Sequence, residues 1–394
     1  MQQRAHGGNL AWASALAGCP PSAIVDFSAS ISPLGPPRSV IAAIESQLTN
    51  LRHYPDPDYR ELKLALSQFH QLPCEWILPG NGSAELLTLA GKELAELAAT
   101  VLITPAFGDY YRSLLAYKAK VLEFPISLNR QENCSTPIHG QISSLSPFPL
   151  NPIAWKLSTA KPVDIPQEAT NGGGSLVSVY SFKRHGLLLN NPHNPTGKLF
   201  SREAILPYLD EFGLVVVDEA FMDFLPTCEE QSLIGEVQKY PNLVVLRSLT
   251  KFYSLPGLRL GYAIAHPDRL RRWQSWRDPW PVNTLAQAAA IAAVSDREFQ
   301  QQTWAWLPPV RNQLFEGLAK IPGLQPYKSA ANFLLVSSQY SSCKLQEELL
   351  KHHQILIRDC LSFRELGDRY FRVAVRSSSE NQSLLNAIAL VNNL

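Results

Sequence analysis

The chain has 394 residues, of which 45% are hydrophobic and 18% are charged, and its formal net charge is +1. This length exceeds what one hydrophobic core usually serves, so we predict two domains. The near-neutral charge gives no reason to expect nucleic acid or an anionic membrane as a partner, and no stretch reaches the ~20 apolar residues of a membrane-spanning helix. The six cysteines form no Cys-x-x-Cys pair. We therefore expect no metal site, and a reducing compartment such as the cytoplasm.

Residues 1–45 are predicted to form an N-terminal arm that contributes to a smaller domain. Within them, Leu16-Ala17-Gly18-Cys19 resembles a bacterial lipoprotein cleavage site that follows a short apolar stretch. The same stretch begins with the glycine-rich run His6-Gly7-Gly8-Asn9, which a removed leader would lose. A short helix over residues 10–18 explains the apolar character equally well, and we expect a cytoplasmic protein.

Residues 46–275 alternate apolar strands with helical stretches. This alternation predicts an α/β fold with a mostly parallel sheet and helices on both faces. The predicted strands are 101–103, 187–189, 214–217, 244–246 and 261–265.

Residues 276–394 contain helices followed by strands at 333–336, 355–357 and 371–375, which predicts a smaller α+β domain. Arginines and tryptophans alternate between positions 269 and 280, a pattern open to nucleic-acid binding. A helix with a basic face and a packed aromatic face is the simpler interpretation. Residues 129–180 are rich in Ser, Pro, Asn and Gly and keep no regular hydrophobic period, so we predict a flexible insertion there.

Residues 78–87 are predicted to form a glycine-rich turn that opens into a helix. Free amide groups at the start of a helix favour an anion, and Ser83 and Ala84 are placed to offer theirs. An ordinary turn is the alternative interpretation of this segment alone.

Three polar groups follow apolar strands in chain order. Asn194 lies in a turn after 187–189, Asp218 directly follows 214–217, and Lys251 follows 242–246. Because parallel strands end at one edge of a sheet, these groups converge if their strands are neighbours. Each also has an ordinary interpretation, as a turn residue, a capping acid or a chance lysine.

Together these residue types fit the needs of pyridoxal 5'-phosphate (PLP). Lys251 would form an imine with its aldehyde, and Asp218 would keep the pyridine nitrogen protonated. Asn194 would donate to the ring hydroxyl oxygen. Ser248 and Arg259 would grip the phosphate.

The whole pattern resembles the fold-type I aminotransferase superfamily and, within it, the family of threonine-phosphate decarboxylases. The narrower resemblance depends on six segments and covers most of the chain except roughly 129–180. These segments are 6–9, 26–29, 33–35, 247–262, 355–360 and 370–376.

The resemblance implies a role for each matching position. Lys251, Asp218 and Asn194 would be catalytic, and Phe107 would stack on the PLP ring. Tyr54 would reach the cofactor phosphate from a neighbouring subunit, which implies a homodimer. The cofactor phosphate would be bound by Ser83, Ala84, Ser248 and Arg259. The substrate would be bound by His6, Gly7, Ser30, Asn332, Arg358 and Arg372.

The implied reaction converts L-threonine O-3-phosphate to (R)-1-aminopropan-2-yl phosphate and CO₂, for the cobalamin nucleotide loop. A histidinol-phosphate aminotransferase, or another phosphate-recognising aminotransferase, is the alternative because it shares the PLP residues. A catalytically silent module is a third possibility, although Lys251 and Asp218 are both present. The chain departs from the family at Ser30 and Ser32, where asparagine is usual, and this bears on substrate affinity.

Overall fold

The structure is a computed structural model that describes residues 7–126, 128 and 182–391. The predicted insertion at 129–180 and the predicted substrate residue His6 lie outside the described residues. Everything below refers to the described part of the chain.

Thirteen strands are present in the described ranges. They are β1 Val25–Asp26, β2 Ile77–Asn81, β3 Ala99–Thr104, β4 Val121–Pro125, β5 His185–Asn190, β6 Leu214–Asp218, β7 Leu243–Ser248, β8 Leu260–Ala265, β9 Leu324–Pro326, β10 Phe333–Ser338, β11 Ile355–Leu356, β12 Arg358–Asp359 and β13 Tyr370–Ala374.

The helices alternate with these strands in the first two thirds of the chain and dominate the last third. They are α1 Leu10–Ala17, α2 Arg38–Gln47, α3 Arg60–His70, α4 Gly82–Leu94, α5 Gly108–Ala116, α6 Arg202–Glu211, α7 Leu249–Phe252, α8 Pro267–Gln274, α9 Thr284–Ser295, α10 Arg297–Ala319, α11 Ser342–His353 and α12 Ser378–Val391. Short 3₁₀ turns occupy Pro21–Ala23, Leu48–Arg52, Cys74–Trp76, Phe182–Arg184, Met222–Phe224, Ile234–Glu236, Pro256–Leu258 and Gly367–Arg369.

Seven strands form the central sheet, in the order β2-β8-β7-β6-β5-β3-β4. The pairs from β7 to β4 are parallel, whereas β8 runs antiparallel to both β7 and β2. The predicted mostly parallel sheet is therefore confirmed. One correction concerns 78–81, which we had assigned to a turn: it belongs to strand β2, and the helix begins directly after it at Gly82.

Both faces of this sheet are covered, as predicted. In β6, Val215 and Val217 contribute to one buried cluster, while Leu214 and Val216 contribute to a second cluster. Successive side chains of a strand point to opposite faces, so an apolar strand of this kind needs packing on both. The polar residue that ends the strand, Asp218, is left at the edge.

A separate four-stranded antiparallel sheet has the order β12-β13-β10-β9. The predicted strand 355–357 is divided in the structure. Its first part, β11, pairs in parallel with β1 of the N-terminal arm, and β12 begins at Arg358 in the four-stranded sheet. The chain thus changes sheets at Ile357 and brings the N-terminal arm beside β12.

The first part of the arginine- and tryptophan-rich segment forms helix α8, as the simpler interpretation predicted, whereas Trp276, Arg277 and Trp280 follow the end of that helix. Trp273 is fully buried and donates its indole N–H to Glu93 at 2.7 Å. Arg269 and Arg272 lie within ion-pair distance of the same carboxylate. These basic groups are therefore neutralised within the fold. Among the described helices, none is both long enough and apolar enough to cross a membrane.

Candidate active site

Three neighbouring strands end in polar residues at one edge of the central sheet. Asn190 at the end of β5 lies opposite Asp218 at the end of β6, and β7 ends beside them at Ser248. The turn after β5 leads to Asn194, and the short helix after β7 contains Lys251. The structure therefore brings the predicted asparagine, aspartate and lysine segments together, because their strands are neighbours.

The Asp218 carboxylate is held through both of its oxygens. The Tyr110 hydroxyl donates to Oδ2 at 2.9 Å, and the Ala220 backbone N–H donates to Oδ1 at 3.0 Å. Burial raises the pKa of Asp218 above its ordinary value, while these two hydrogen bonds and the charge of Lys251 act in the opposite direction.

The amine of Lys251 is made less basic by its surroundings. Burial, with the positive charges of Arg372 and Arg259, lowers its pKa to about 8, while Asp218 opposes the shift. A lysine with this pKa has a substantial neutral fraction at mildly alkaline pH, and the neutral amine is the form that attacks an aldehyde.

The start of α4 lies close against the segment that follows β7. Gly82 has a φ of +74°, and a Cβ there would lie 2.7 Å from Nη2 of Arg259. A Cβ on Gly261, which pairs with Ser248 across β7 and β8, would lie 2.5 Å from the backbone N of Ser83. The approach of Gly261 to backbone atoms leaves no room for a side chain, and the positive φ of Gly82 favours glycine there.

These close approaches bring together most of the segments that are predicted to bind the cofactor phosphate. The first amides of α4 lie beside the Arg259 guanidinium and beside Gly261, which is the strand partner of Ser248. Ala84 follows Ser83 in the same helical turn. A helix N-terminus beside an arginine is suited to a phosphate group.

Phe107 and Asn194 are each connected to a residue that contacts this site. Phe107 precedes α5 and meets the Tyr110 ring edge-on, with 5.8 Å between ring centres. Asn194 is buried, and its side-chain oxygen accepts a hydrogen bond from Nη1 of Arg372.

A pair of buried arginines lies beyond Asn194. Arg358 and Arg372 are opposite each other in the β12–β13 pairing. Burial lowers the pKa of Arg372 to about 10, and the neighbouring charge of Arg358 adds to the effect. Both guanidinium groups are therefore positively charged at neutral pH. Two adjacent buried cations are costly unless an anion joins them.

The N-terminal arm completes this region. Ser28 accepts a hydrogen bond from Nη2 of Arg372 at its backbone oxygen (3.4 Å), and Ser32 N donates to the backbone oxygen of Lys251 (3.1 Å). A Cβ on Gly7 would lie 2.3 Å from the Ser28 oxygen, so the arm can pass this closely only with glycine there. The arm thus spans from the arginines to the lysine.

Several buried polar atoms here have no hydrogen-bond partner among the described residues. They are Oγ of Ser30, Nδ2 and Oδ1 of Asn332, and Nε of Arg372. An unsatisfied buried donor or acceptor costs about 1–3 kcal/mol. Arg372 connects the chain segments on which these atoms lie. Unpartnered atoms grouped in this way indicate a binding site for a polar ligand.

Tyr54 stands apart from this assembly within the chain. Its side chain is 80% exposed and stacks on Trp280, with 4.6 Å between ring centres. No hydrogen bond or ring contact with another predicted site residue is recorded for Tyr54 among the described residues.

Two supporting groups were missed by the sequence analysis. Tyr110 lies in the first turn of α5, three residues after Phe107, and its closeness in sequence to a predicted cofactor residue is the one signal that could have pointed to it. Behind the edge, Arg247 and Glu219 form a buried ion pair at 3.0 Å. It joins β6 to β7 directly beside Asp218 and Ser248, and no local sequence feature announces it.

Comparison with known proteins identifies the family. Residues 22–388 match the family model described as aminotransferase class I and II. The chain belongs to this family. It is 35% identical over 98% of its length to a threonine-phosphate decarboxylase of Salmonella typhimurium, and the alignment covers 95% of that protein.

Two further comparisons support the same assignment. A histidinol-phosphate aminotransferase of Symbiobacterium thermophilum is 30% identical over 93% of the chain and 90% of that protein. The histidinol-phosphate aminotransferase of Sinorhizobium meliloti, solved in complex with pyridoxal-5'-phosphate, superposes with a TM-score of 0.78. That superposition covers 98% of this chain and 95% of the other at 21% identity, and it establishes the common fold.

Proposed function

We propose that the protein is a PLP-dependent decarboxylase that converts L-threonine O-3-phosphate to (R)-1-aminopropan-2-yl phosphate and CO₂. The observation that carries this proposal is a hydrogen bond that connects the buried arginine pair with the edge of the central sheet. Arg372, a member of the buried Arg358–Arg372 pair, hydrogen-bonds Asn194 at the strand edge that presents Lys251 and Asp218. The 35% identity to a threonine-phosphate decarboxylase selects this reaction from those of the family.

The described residues fit PLP. We assign Lys251 to the covalent bond with its aldehyde, Asp218 to its ring nitrogen, Asn194 to its ring hydroxyl and Phe107 to its ring face. The phosphate is assigned to the backbone of Ser83 and Ala84 with Ser248 and Arg259. The close approach of Gly82 to Arg259 supports this last assignment, since a side chain at position 82 would fill the space.

We assign the two anionic ends of the substrate to the arginine pair and the orphaned polar atoms around it. Arg358 and Arg372 supply charge and the geometry for two-point contact with phosphate or carboxylate. Ser30 and Asn332 supply buried donors. We assign Gly7, which packs against Ser28, and His6 to the same set. Ser30 is shorter than the asparagine usual in the family, so we expect weaker contact at that position.

The reaction depends on which bond at Cα of the substrate lies perpendicular to the cofactor ring. When bound, PLP supplies an electron sink for the bond in that orientation. The arginine pair holds the substrate by its anionic groups and turns the Cα–carboxylate bond into that orientation, and the enclosed site removes water from the carboxylate. Lys251 Nζ then delivers the proton that replaces CO₂ at Cα.

We propose a homodimer in which Tyr54 acts on the neighbouring subunit's cofactor phosphate. Its 80% exposure, away from the other site residues of its own chain, supports this arrangement. We also propose a cytoplasmic location and a place in cobalamin nucleotide-loop synthesis.

We propose the domain division made from sequence, with an arm at 1–45, a large domain at 46–275 and a small domain at 276–394. The separate sheets support it, because the seven-stranded sheet uses residues 77–265 and the four-stranded sheet uses 324–374. The pairing of β1 with β11 supports the assignment of the arm to the small domain.

A product assay with three substrates tests the proposed activity. The purified chain with PLP is mixed separately with threonine phosphate, serine phosphate and histidinol phosphate, with and without 2-oxoglutarate. We expect CO₂ from threonine phosphate and no requirement for 2-oxoglutarate. Glutamate formed with histidinol phosphate, without CO₂ from threonine phosphate, would instead establish the aminotransferase. Failure to bind PLP at all would establish a silent module.

A further inference from the structure

We infer that Tyr110 is a positioning residue that holds Asp218 as an oriented anion toward the cofactor and thereby sets the affinity for PLP and its dependence on pH. This inference rests on the proposed function, because it assumes that Asp218 faces the ring nitrogen of PLP. It assigns a role to a residue outside the predicted site.

The geometry fixes the carboxylate from two directions. Tyr110 in α5 donates to Oδ2 at 2.9 Å, and the backbone of Ala220, beyond the end of β6, donates to Oδ1 at 3.0 Å. With one fixed donor on each oxygen, the plane of the carboxylate is set before any ligand arrives. A preoriented group binds its partner without an ordering cost.

Tyr110 is itself held firmly. Its side chain is 2% exposed, and its ring meets Phe107 edge-on. Its backbone N–H donates to the carbonyl of Phe107 at 3.0 Å, and its carbonyl accepts from the Ser113 hydroxyl at 2.9 Å. Tyr110 therefore connects Phe107, assigned to the PLP ring face, with Asp218, assigned to the ring nitrogen.

The charges around Asp218 define what Tyr110 contributes. Burial and the nearby Asp109 raise the pKa of Asp218, whereas the hydrogen bonds from Tyr110 and Ala220 and the charge of Lys251 lower it. Burial beside Asp218 also raises the pKa of the Tyr110 phenol well above its usual value, so Tyr110 stays a donor throughout the working pH range. Removing this donor would raise the pKa of Asp218 further.

The adjacent tyrosine supplies a matched control. Tyr111 belongs to the same helix and donates its hydroxyl to a carboxylate, that of Glu123, at 2.7 Å. Its partner lies away from the strand edge, on β4. Tyr110→Phe and Tyr111→Phe therefore each remove one hydroxyl from α5 and one hydrogen bond to an acid.

The experiment measures the dissociation constant of PLP from the apoprotein between pH 5 and 9, for wild type and both variants. We expect Tyr110→Phe to weaken PLP binding about tenfold at pH 7, which matches the loss of one hydrogen bond to a charged group. The pH below which affinity falls should move upward, because Asp218 then takes up a proton at higher pH. Tyr111→Phe should match wild type in both respects.

Each outcome decides between the claims. A wild-type chain that does not bind PLP overturns the proposed function. Wild-type binding with unchanged affinity and pH profile in Tyr110→Phe overturns the role of Tyr110 alone. An equal loss in both tyrosine variants, with no shift of the pH profile, would make Tyr110 a structural residue only.

Two further measurements test the role of Tyr110 independently. In the Asp218→Asn background, Tyr110→Phe should no longer shift the pH profile, since no carboxylate remains to titrate. If Tyr110→Phe does not fold, 3-fluorotyrosine at position 110 preserves size and makes the hydroxyl a stronger donor. The profile should then move to lower pH, and an unmoved profile would contradict the inference.

Discussion

The two regions that meet at Arg372 satisfy their polar groups differently. At the edge of the central sheet, both oxygens of Asp218 have protein donors. On the side of the four-stranded sheet and the N-terminal arm, Ser30, Asn332 and Arg372 keep buried polar atoms without a partner among the described residues. The Asp218 carboxylate is thus fully hydrogen-bonded as folded, whereas the second region retains hydrogen-bonding capacity around Arg372.

This difference has a physical meaning for the proposed reaction. A cofactor that stays bound through every turnover benefits from groups that the fold has already oriented. A substrate that enters and leaves must supply partners for groups that the fold leaves open, at a cost in stability of about 1–3 kcal/mol for each. The contrast supports our proposal that Asp218 and its neighbours at the sheet edge bind the cofactor and that the Arg358–Arg372 pair binds the substrate.

Among the changes at the sheet edge, loss of Lys251 should lower activity the most. We expect Lys251→Ala to lower kcat by at least about 10³-fold, because the covalent attachment and the proton donor are both lost. Borohydride reduction followed by peptide mapping should label Lys251 in wild type and nothing at that position in the variant. Lys344→Ala, at an exposed lysine, is the control and should react like wild type. Label elsewhere in wild type would contradict the assignment.

Loss of an arginine should separate substrate binding from cofactor binding. We expect Arg372→Gln to lower kcat/KM about 100-fold, since a two-point contact with an anion is lost, while PLP remains covalently bound. Steady-state kinetics with threonine phosphate and the absorption spectrum of the bound cofactor measure the two effects. Arg364→Gln, which removes an exposed ion pair with Glu123, should change neither. Unchanged kinetics in Arg372→Gln would remove the arginine from the substrate site.

Two buried asparagines test the contrast in stability directly. Asn332 is fully buried, and its amide has no partner among residues 7–126, 128 and 182–391, whereas Asn191 is fully buried with both ends bonded to the Phe200 backbone at 2.9 Å. We expect Asn332→Leu to stabilise the apoprotein by about 1 kcal/mol and to lower kcat/KM about tenfold. Asn191→Leu should destabilise it by about 2–4 kcal/mol.

Urea unfolding of the apoproteins measures the change in each free energy of unfolding. If both variants lose stability equally, the amide of Asn332 is a structural group, and the division between the two regions fails at that residue.

The pH dependence of cofactor attachment is the smallest expected effect. Because the pKa of Lys251 is lowered to about 8, the rate of PLP attachment to the apoprotein should rise about tenfold from pH 7 to 9 and then level off. Arg372→Gln removes one positive charge that lowers this pKa, so the midpoint should move to higher pH. A wild-type rate that keeps rising beyond pH 10 would mean that the amine is not perturbed.

The sequence analysis predicted the polar residues at the sheet edge better than the side chains that hold them in place. The buried strands are continuous apolar runs, and Asp218 and Ser248 end two of them, so parallel pairing alone predicts their convergence. The hydrogen bond from Tyr110 and the ion pair of Arg247 with Glu219 depend on side-chain directions that no local pattern encodes. The division of 355–357 between two sheets was missed because Ile355 to Ile357 form one apolar run whichever sheet they join.

We propose that Arg358 and Arg372 hold the substrate so that its Cα–carboxylate bond, and not its Cα–H bond, is cleaved. A single turnover of the PLP-loaded enzyme with L-threonine O-3-phosphate labelled with ¹³C at the carboxylate, in D₂O, tests it directly by NMR. We predict one labelled CO₂ for each substrate consumed, and a product with one deuterium at the carbon that bore the carboxylate. Exchange of the Cα hydrogen for deuterium with the labelled carboxylate retained would contradict the account.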